Sequence, residues 1–153
     1  MLNGKQLKRK ETTVGDAAVD GLLAGVVAGI VMAAYLVAIG VVTGEGPATV
    51  LARFAPGAGA SPMTGALVHL AESAVYGALF GVGWRLVGRR RPHRLLTGLA
   101  GLAYGVLLLL VAKAIILPGT ASPLREIPFV HFAVAHGVYG LVLGFLTGRQ
   151  QQA

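Results

Sequence analysis

The chain is expected to be all-α: a polytopic membrane protein of four transmembrane helices in a duplicated-hairpin bundle, with both termini inside. Three observations predict this. First, 55% of the 153 residues are hydrophobic and only 12% are charged, too little polar surface for a soluble domain of this size. Second, the apolar residues gather in four segments, 21–42, 64–87, 95–117 and 127–147. Each is long enough to cross about 30 Å of hydrocarbon as a helix. Third, Val75-Tyr76-Gly77 with Gly81 recurs as Val138-Tyr139-Gly140 with Gly144, and a Pro-Gly and an Ala-Ser-Pro precede both even-numbered segments. That recurrence suggests two parallel copies of a helical hairpin, related by an axis along the membrane normal.

The placement of charge sets the orientation. Lys5, Lys8, Arg9 and Lys10 precede the first segment, Arg85, Arg89, Arg90, Arg91 and Arg94 surround the link between the second and third, and Arg149 ends the fourth. The two opposite connections hold only Arg53 and Arg125, with Glu45 and Glu126 nearby. By the positive-inside rule the termini and the Arg-rich link are cytoplasmic. Residues 1–16 then form a basic cytoplasmic segment, and residues 17–149 the transmembrane domain. The Arg cluster is read as a contact for anionic lipid rather than nucleic acid, because it is short and borders a membrane segment. The first segment is too long for a signal-peptide core and shows no clear cleavage site, so it is expected to be retained. There is no cysteine, which excludes disulfide and thiolate chemistry.

In chain order, Asp16 and Asp20 are placed to start the first helix. Gly21, Gly25 and Gly29 then recur at the four-residue spacing that lets a neighbouring backbone approach closely, as do Gly77 and Gly81, Gly101 and Gly105, and Gly140 and Gly144. Residues 47–55 have the apolar spacing of a short helix lying on the membrane, broken by the Pro- and Gly-rich stretch 56–62. The third segment carries Lys113 near its outer end, and the fourth carries His131, His136 and Tyr139.

Helical rise places His69 and Glu72 roughly 7–12 Å, and His131 and His136 roughly 6–14 Å, from the outer ends of their segments. With Lys113, Tyr76 and Tyr139 they make a candidate polar or proton-responsive cluster in the outer half of the membrane. His69, Glu72 and Tyr76 share one helical stripe, and His136 shares a face with Tyr139. His131 points about 140° from His136 at five residues' separation, and is read as an interfacial residue donating to a loop carbonyl. Lys113 either snorkels outward or pairs with Glu72. Without that pair, Glu72 is expected to be neutral and hydrogen-bonded to Ser73, a histidine or Tyr139. Tyr76 and Tyr139 lie deeper than an aromatic belt, so their hydroxyls need partners within the bundle.

Three chemistries can use such a cluster. His69 with His136 or His131 can supply paired axial ligands to haem, and His69, His131, His136 and Glu72 a mixed set for a transition metal. Glu72 with His69 or His136 can sense or pass protons. The His, Tyr and Lys donors can hold a lipid or quinone headgroup. No phosphate-binding glycine loop, His-Glu-x-x-His or Gly-x-Ser-x-Gly is present, so no enzymatic signature is found.

Gly21-Leu22-Leu23-Ala24-Gly25-Val26-Val27, the outer-end His69 ahead of Tyr76-Gly77, the Leu-Leu-x-Gly-Leu-Ala-Gly run from Leu95 to Gly101, and the histidine-aromatic pair of the fourth segment resemble the YagU-like family of bacterial inner-membrane proteins. That resemblance implies a bacterial inner-membrane protein associated with acid tolerance and carrying no established activity. The sequence thus points to a small integral protein of a bacterial or archaeal plasma membrane, an accessory or stress-related subunit with a pH-responsive cluster. The alternatives are a haem- or metal-binding redox protein and a proton-coupled carrier acting as an oligomer. Partners are the bilayer and either a second copy or a membrane complex.

Overall fold

The computed structural model describes residues 13–57, 59–87, 94–120 and 122–150. The basic N-terminal segment before Thr13 and the arginines 89–91 lie outside these residues. Five α-helices follow in order: α1 (Val14–Val42), α2 (Pro47–Ala52), α3 (Pro62–Leu86), α4 (Arg94–Val111) and α5 (Phe129–Gln150). Among the described residues four helical stretches are long and apolar enough to span a membrane, namely Val14–Val42, Pro62–Leu86, Arg94–Ile116 and Phe129–Arg149. Side chains such as Leu67, Leu79 and Leu110 stay more than half exposed on the bundle's outside, as lipid-facing residues do. The chain is a small all-α membrane protein.

Several boundaries differ from the sequence expectation, each for a local reason. Thr13, not Asp16 or Asp20, caps α1: its side chain accepts from the Asp16 backbone N–H, and the Asp16 carboxylate accepts from the Thr13 backbone. This reciprocal capping box starts the helix seven residues ahead of the apolar run. Pro62 opens α3 behind the Ser61 cap. The third span is α-helical only to Val111 and continues as a π-turn, Ala112–Ile116, and a 3₁₀ turn, Leu117–Gly119. Lys113 therefore sits on a locally widened turn rather than on a regular helix.

α3 packs on α1, α1 on α5 and α5 on α4, while α3 and α4 make no comparable close approach. Packing within α1/α3 and α4/α5 is backbone against backbone. A Cβ on Gly21 would run into the Gly77 carbonyl, one on Gly25 into the Ser73 carbonyl, and one on Gly81 into the Ala17 carbonyl. In the second pair, Gly101 meets the Gly140 carbonyl, Gly105 the His136 carbonyl and Gly144 the Thr97 carbonyl. Both pairs run antiparallel. Gly29 lies against the Ser73 side chain. The larger apolar side chains collect between the pairs, with Ala28, Met32 and Leu36 of α1 in one buried cluster with Phe132, Ala135 and Leu143 of α5.

The short helix α2 packs against α3 and α1. Val50 of α2 and Phe54 and Ala55 just beyond its end are buried, and the Leu51 carbonyl occupies the space that a side chain at Gly65 would need. Arg53 then fastens the two connections together. Its guanidinium takes both oxygens of Glu45, one at 2.9 Å, and reaches Glu126 at 3.2 Å. Glu126 is thus held by Arg53, while Arg125 donates to the Thr120 carbonyl at 3.4 Å.

Replacing Gly77 or Gly140 by alanine should lower unfolding stability in detergent micelles by about 1–3 kcal/mol through forced separation of the helices. Gly83, which faces open space within α3, is the control. Its alanine variant should be neutral or up to about 1 kcal/mol more stable, and equal losses at all three positions would contradict this packing.

Candidate functional site

Spacings of three, four and seven residues put His69, Glu72, Ser73 and Tyr76 on one face of α3. His69 and Ser73 turn into the α1 contact and are buried, whereas Glu72 remains exposed. The face opens onto a cavity of about 180 Å³. All four long helices and both connections contribute to its wall, including Met32, Phe54, Leu108, Leu124 and Phe132 beside the polar groups. Five of the seven residues proposed as a cluster meet here: His69, Glu72, Tyr76, His136 and Tyr139.

The two remaining members are elsewhere. His131 Nδ1 lies 3.1 Å from the Tyr35 hydroxyl on α1, so it is tied to a neighbouring helix and not to a loop carbonyl. Lys113 does not pair with Glu72; its ammonium lies 4.7 Å from the centre of the Phe132 ring, a cation–π distance. The four-residue metal set is accordingly not assembled, and among the described residues no three His, Asp or Glu side chains are grouped to hold a metal ion.

Hydrogen bonding fixes what the cavity histidines present. His69 Nε2 lies 2.9 Å from the Gly29 carbonyl oxygen, and His136 Nδ1 lies 2.8 Å from the Phe132 carbonyl oxygen one turn earlier. A carbonyl oxygen only accepts, so each of these nitrogens carries the proton. In the neutral rings, Nδ1 of His69 and Nε2 of His136 are then lone-pair acceptors. Phe54 stacks on the His69 ring at 4.5 Å between centroids, and Phe132 lies against His136 at the same distance.

The end of the cavity nearer the 88–93 link is closed by hydroxyls and rings. Tyr139 donates to the Ser73 carbonyl at 2.7 Å, and Tyr104 of α4 to the Tyr76 carbonyl at 3.0 Å. Below them Phe80 lies 5.3 Å from Tyr104 and 6.1 Å from Trp84, filling the space between α3 and α4 that backbone packing leaves. At the other end Phe54, Pro56, Leu117, Thr120 and Leu124 form a roof. Glu72 makes no hydrogen bond or ion pair among the described residues, and neither Ser73, a histidine nor Tyr139 serves it. The Tyr76 hydroxyl likewise has no hydrogen bond among them, although its ring lines the cavity.

Phe54 and Tyr104 are site-shaping residues that sequence patterning did not single out. Only the apolar spacing of residues 47–55 hinted at the first. Compared with protein-family models, characterised proteins and solved structures, the chain gives no significant match in any of the three.

Since Tyr139 and Tyr104 each hold a carbonyl across helices, replacing either by phenylalanine should cost about 1 kcal/mol of stability. Tyr76→Phe, which removes no hydrogen bond, should cost less than half of that. Unfolding in micelles that ranks Tyr76→Phe with the other two would contradict the assignment.

Proposed function

We propose that this is a non-enzymatic integral protein of a bacterial or archaeal plasma membrane, with cytoplasmic termini, whose cavity responds to protons reaching it from outside. One observation carries the reading: Glu72 lines a cavity with two histidines and, among the described residues, is in no ion pair. An ionisable group in an apolar bundle without a structural partner costs energy, and is best explained by use. The orientation follows from the basic residues of the termini and of the Arg-rich link, which put the cavity in the outer half. The resemblance to YagU-like proteins, a family associated with acid tolerance, favours the same reading.

The bundle is further read as two copies of one helical hairpin. In support, Gly21 and Gly25 meet α3 as Gly101 and Gly105 meet α5, with Ser73 and His136 at corresponding carbonyl contacts. On this view Ser73 and His136 are equivalent positions that have diverged, and the polar site was built by breaking an earlier symmetry. The haem reading has less support, because about 180 Å³ falls below the roughly 300 Å³ where pockets for drug-sized ligands begin. The carrier reading requires a path past Tyr104, Phe80 and Trp84, which are packed together.

The sign of the pH response follows from charge alone. At low pH, Glu72 and its glutamine replacement are both neutral, so wild type and Glu72→Gln should be equally stable. As pH rises only the wild type gains a carboxylate, and with no cation beside it that charge is destabilising. The variant should become the more stable protein at high pH, read by thermal unfolding in micelles from pH 4 to 9. A difference that does not change with pH would overturn the proton-responsive reading.

A further inference from the structure

We propose that the cavity binds a small organic cation, a protonated amine on an apolar body about the size of one ring. This deepens the reading above, since it names a ligand for the same site. The argument starts from volume. A cavity of about 150 Å³ holds one benzene, so about 180 Å³ admits a ring with a short polar arm and little more.

Chemistry narrows the class. The wall carries one carboxyl group and neither an ammonium nor a guanidinium. The proton-bearing nitrogens of His69 and His136 are both spent on backbone carbonyls, and so is the Tyr139 hydroxyl. The residues of the wall include Glu72 and, in the neutral rings, two imidazoles that each keep one uncommitted lone pair. A quinone or an anionic headgroup is best held by a cationic donor, and the wall offers only hydroxyls such as those of Ser73 and Tyr76, which accept as well as donate. An ammonium brings the donors itself, and the aromatic residues Phe54, Tyr76 and Tyr139 are in the wall with Glu72.

The charges around Glu72 agree. From α3 it is faced by His69 and Tyr76, and from α5 by His136 and Tyr139. From α1 and the first connection come the apolar Met32, Leu36 and Phe54, and from α4 Leu108 and Val111. The one lysine among the described residues, Lys113, is not part of the wall and lies over Phe132. Entry fits the packing, because α3 and α4 lack the close approach of the other neighbours and Glu72 is exposed. An amphiphilic amine partitioned into the lipid would thus meet the carboxylate first.

The test uses three probes of one size: benzylammonium, benzyl alcohol and benzoate, titrated calorimetrically into the full-length protein in nanodiscs, with empty nanodiscs as the reference. Benzylammonium should bind saturably and at least about tenfold more tightly than benzyl alcohol, the discrimination expected of a charge-assisted hydrogen bond, with benzoate weakest. In Glu72→Gln the preference should collapse to within about threefold while benzyl alcohol is little changed. Equal affinities for cation and alcohol, a preference for benzoate, no saturable binding, or a cation preference surviving in Glu72→Gln would each overturn the proposal. The ranking on the wild type alone decides the matter should the variant fail to fold. A pH-dependent stability difference without cation preference would reject the ligand and keep the proton response; the opposite pattern would do the reverse.

Discussion

Everything in this structure depends on two antiparallel helix pairs coming close enough for carbonyl oxygens to occupy the space of missing side chains. In lipid there is no hydrophobic drive to bring apolar helices together, so packing must do it. Gly21, Gly25 and Gly77 provide that packing in one pair, and Gly101, Gly105 and Gly140 in the other. The consequence is uneven. Where glycines line the contact the helices touch, and where they do not, between α3 and α4, side chains have to fill the gap.

That gap is filled at one end and hollow at the other. Trp84, Phe80 and Tyr104 close the half nearer the Arg-rich link, and the Tyr104 and Tyr139 hydroxyls seal it by bonding to carbonyls of α3. In the other half the cavity stays open between the side chains. The connections roof it over, and Arg53 ties them together through Glu45 and Glu126. A carboxylic acid placed at the unsealed edge of such a space differs from the buried, fully bonded polar groups that structure alone requires.

Much of this was legible in the sequence because it depends on local spacing. The four spans follow from hydropathy, the close contacts from glycines four apart, and the meeting of His69, Glu72 and Tyr76 from helical periodicity. That His136 and Tyr139 line the same cavity follows from the same periodicity. What was not legible depends on contacts distant along the chain. Nothing local tells Arg53 to choose Glu126, or Phe54 to stack on His69. The pairing of Lys113 with Glu72 was reasonable on depth alone, but it fails because the π-turn resets the direction of Lys113 and Phe132 offers its ring. The Thr13 cap has a readable pattern, with an acid three residues on, but it stands upstream of the apolar run.

The most direct test of the account is an infrared titration of the protein in nanodiscs, with the Glu72→Gln spectrum subtracted to isolate one carboxyl group. The account predicts a protonated-carboxyl band that disappears as pH rises, and that disappears at lower pH when benzylammonium is present, because the cation favours the charged form. A spectrum with no titrating Glu72 band, or a titration that benzylammonium leaves unmoved, would contradict a cation-free carboxyl group facing this cavity.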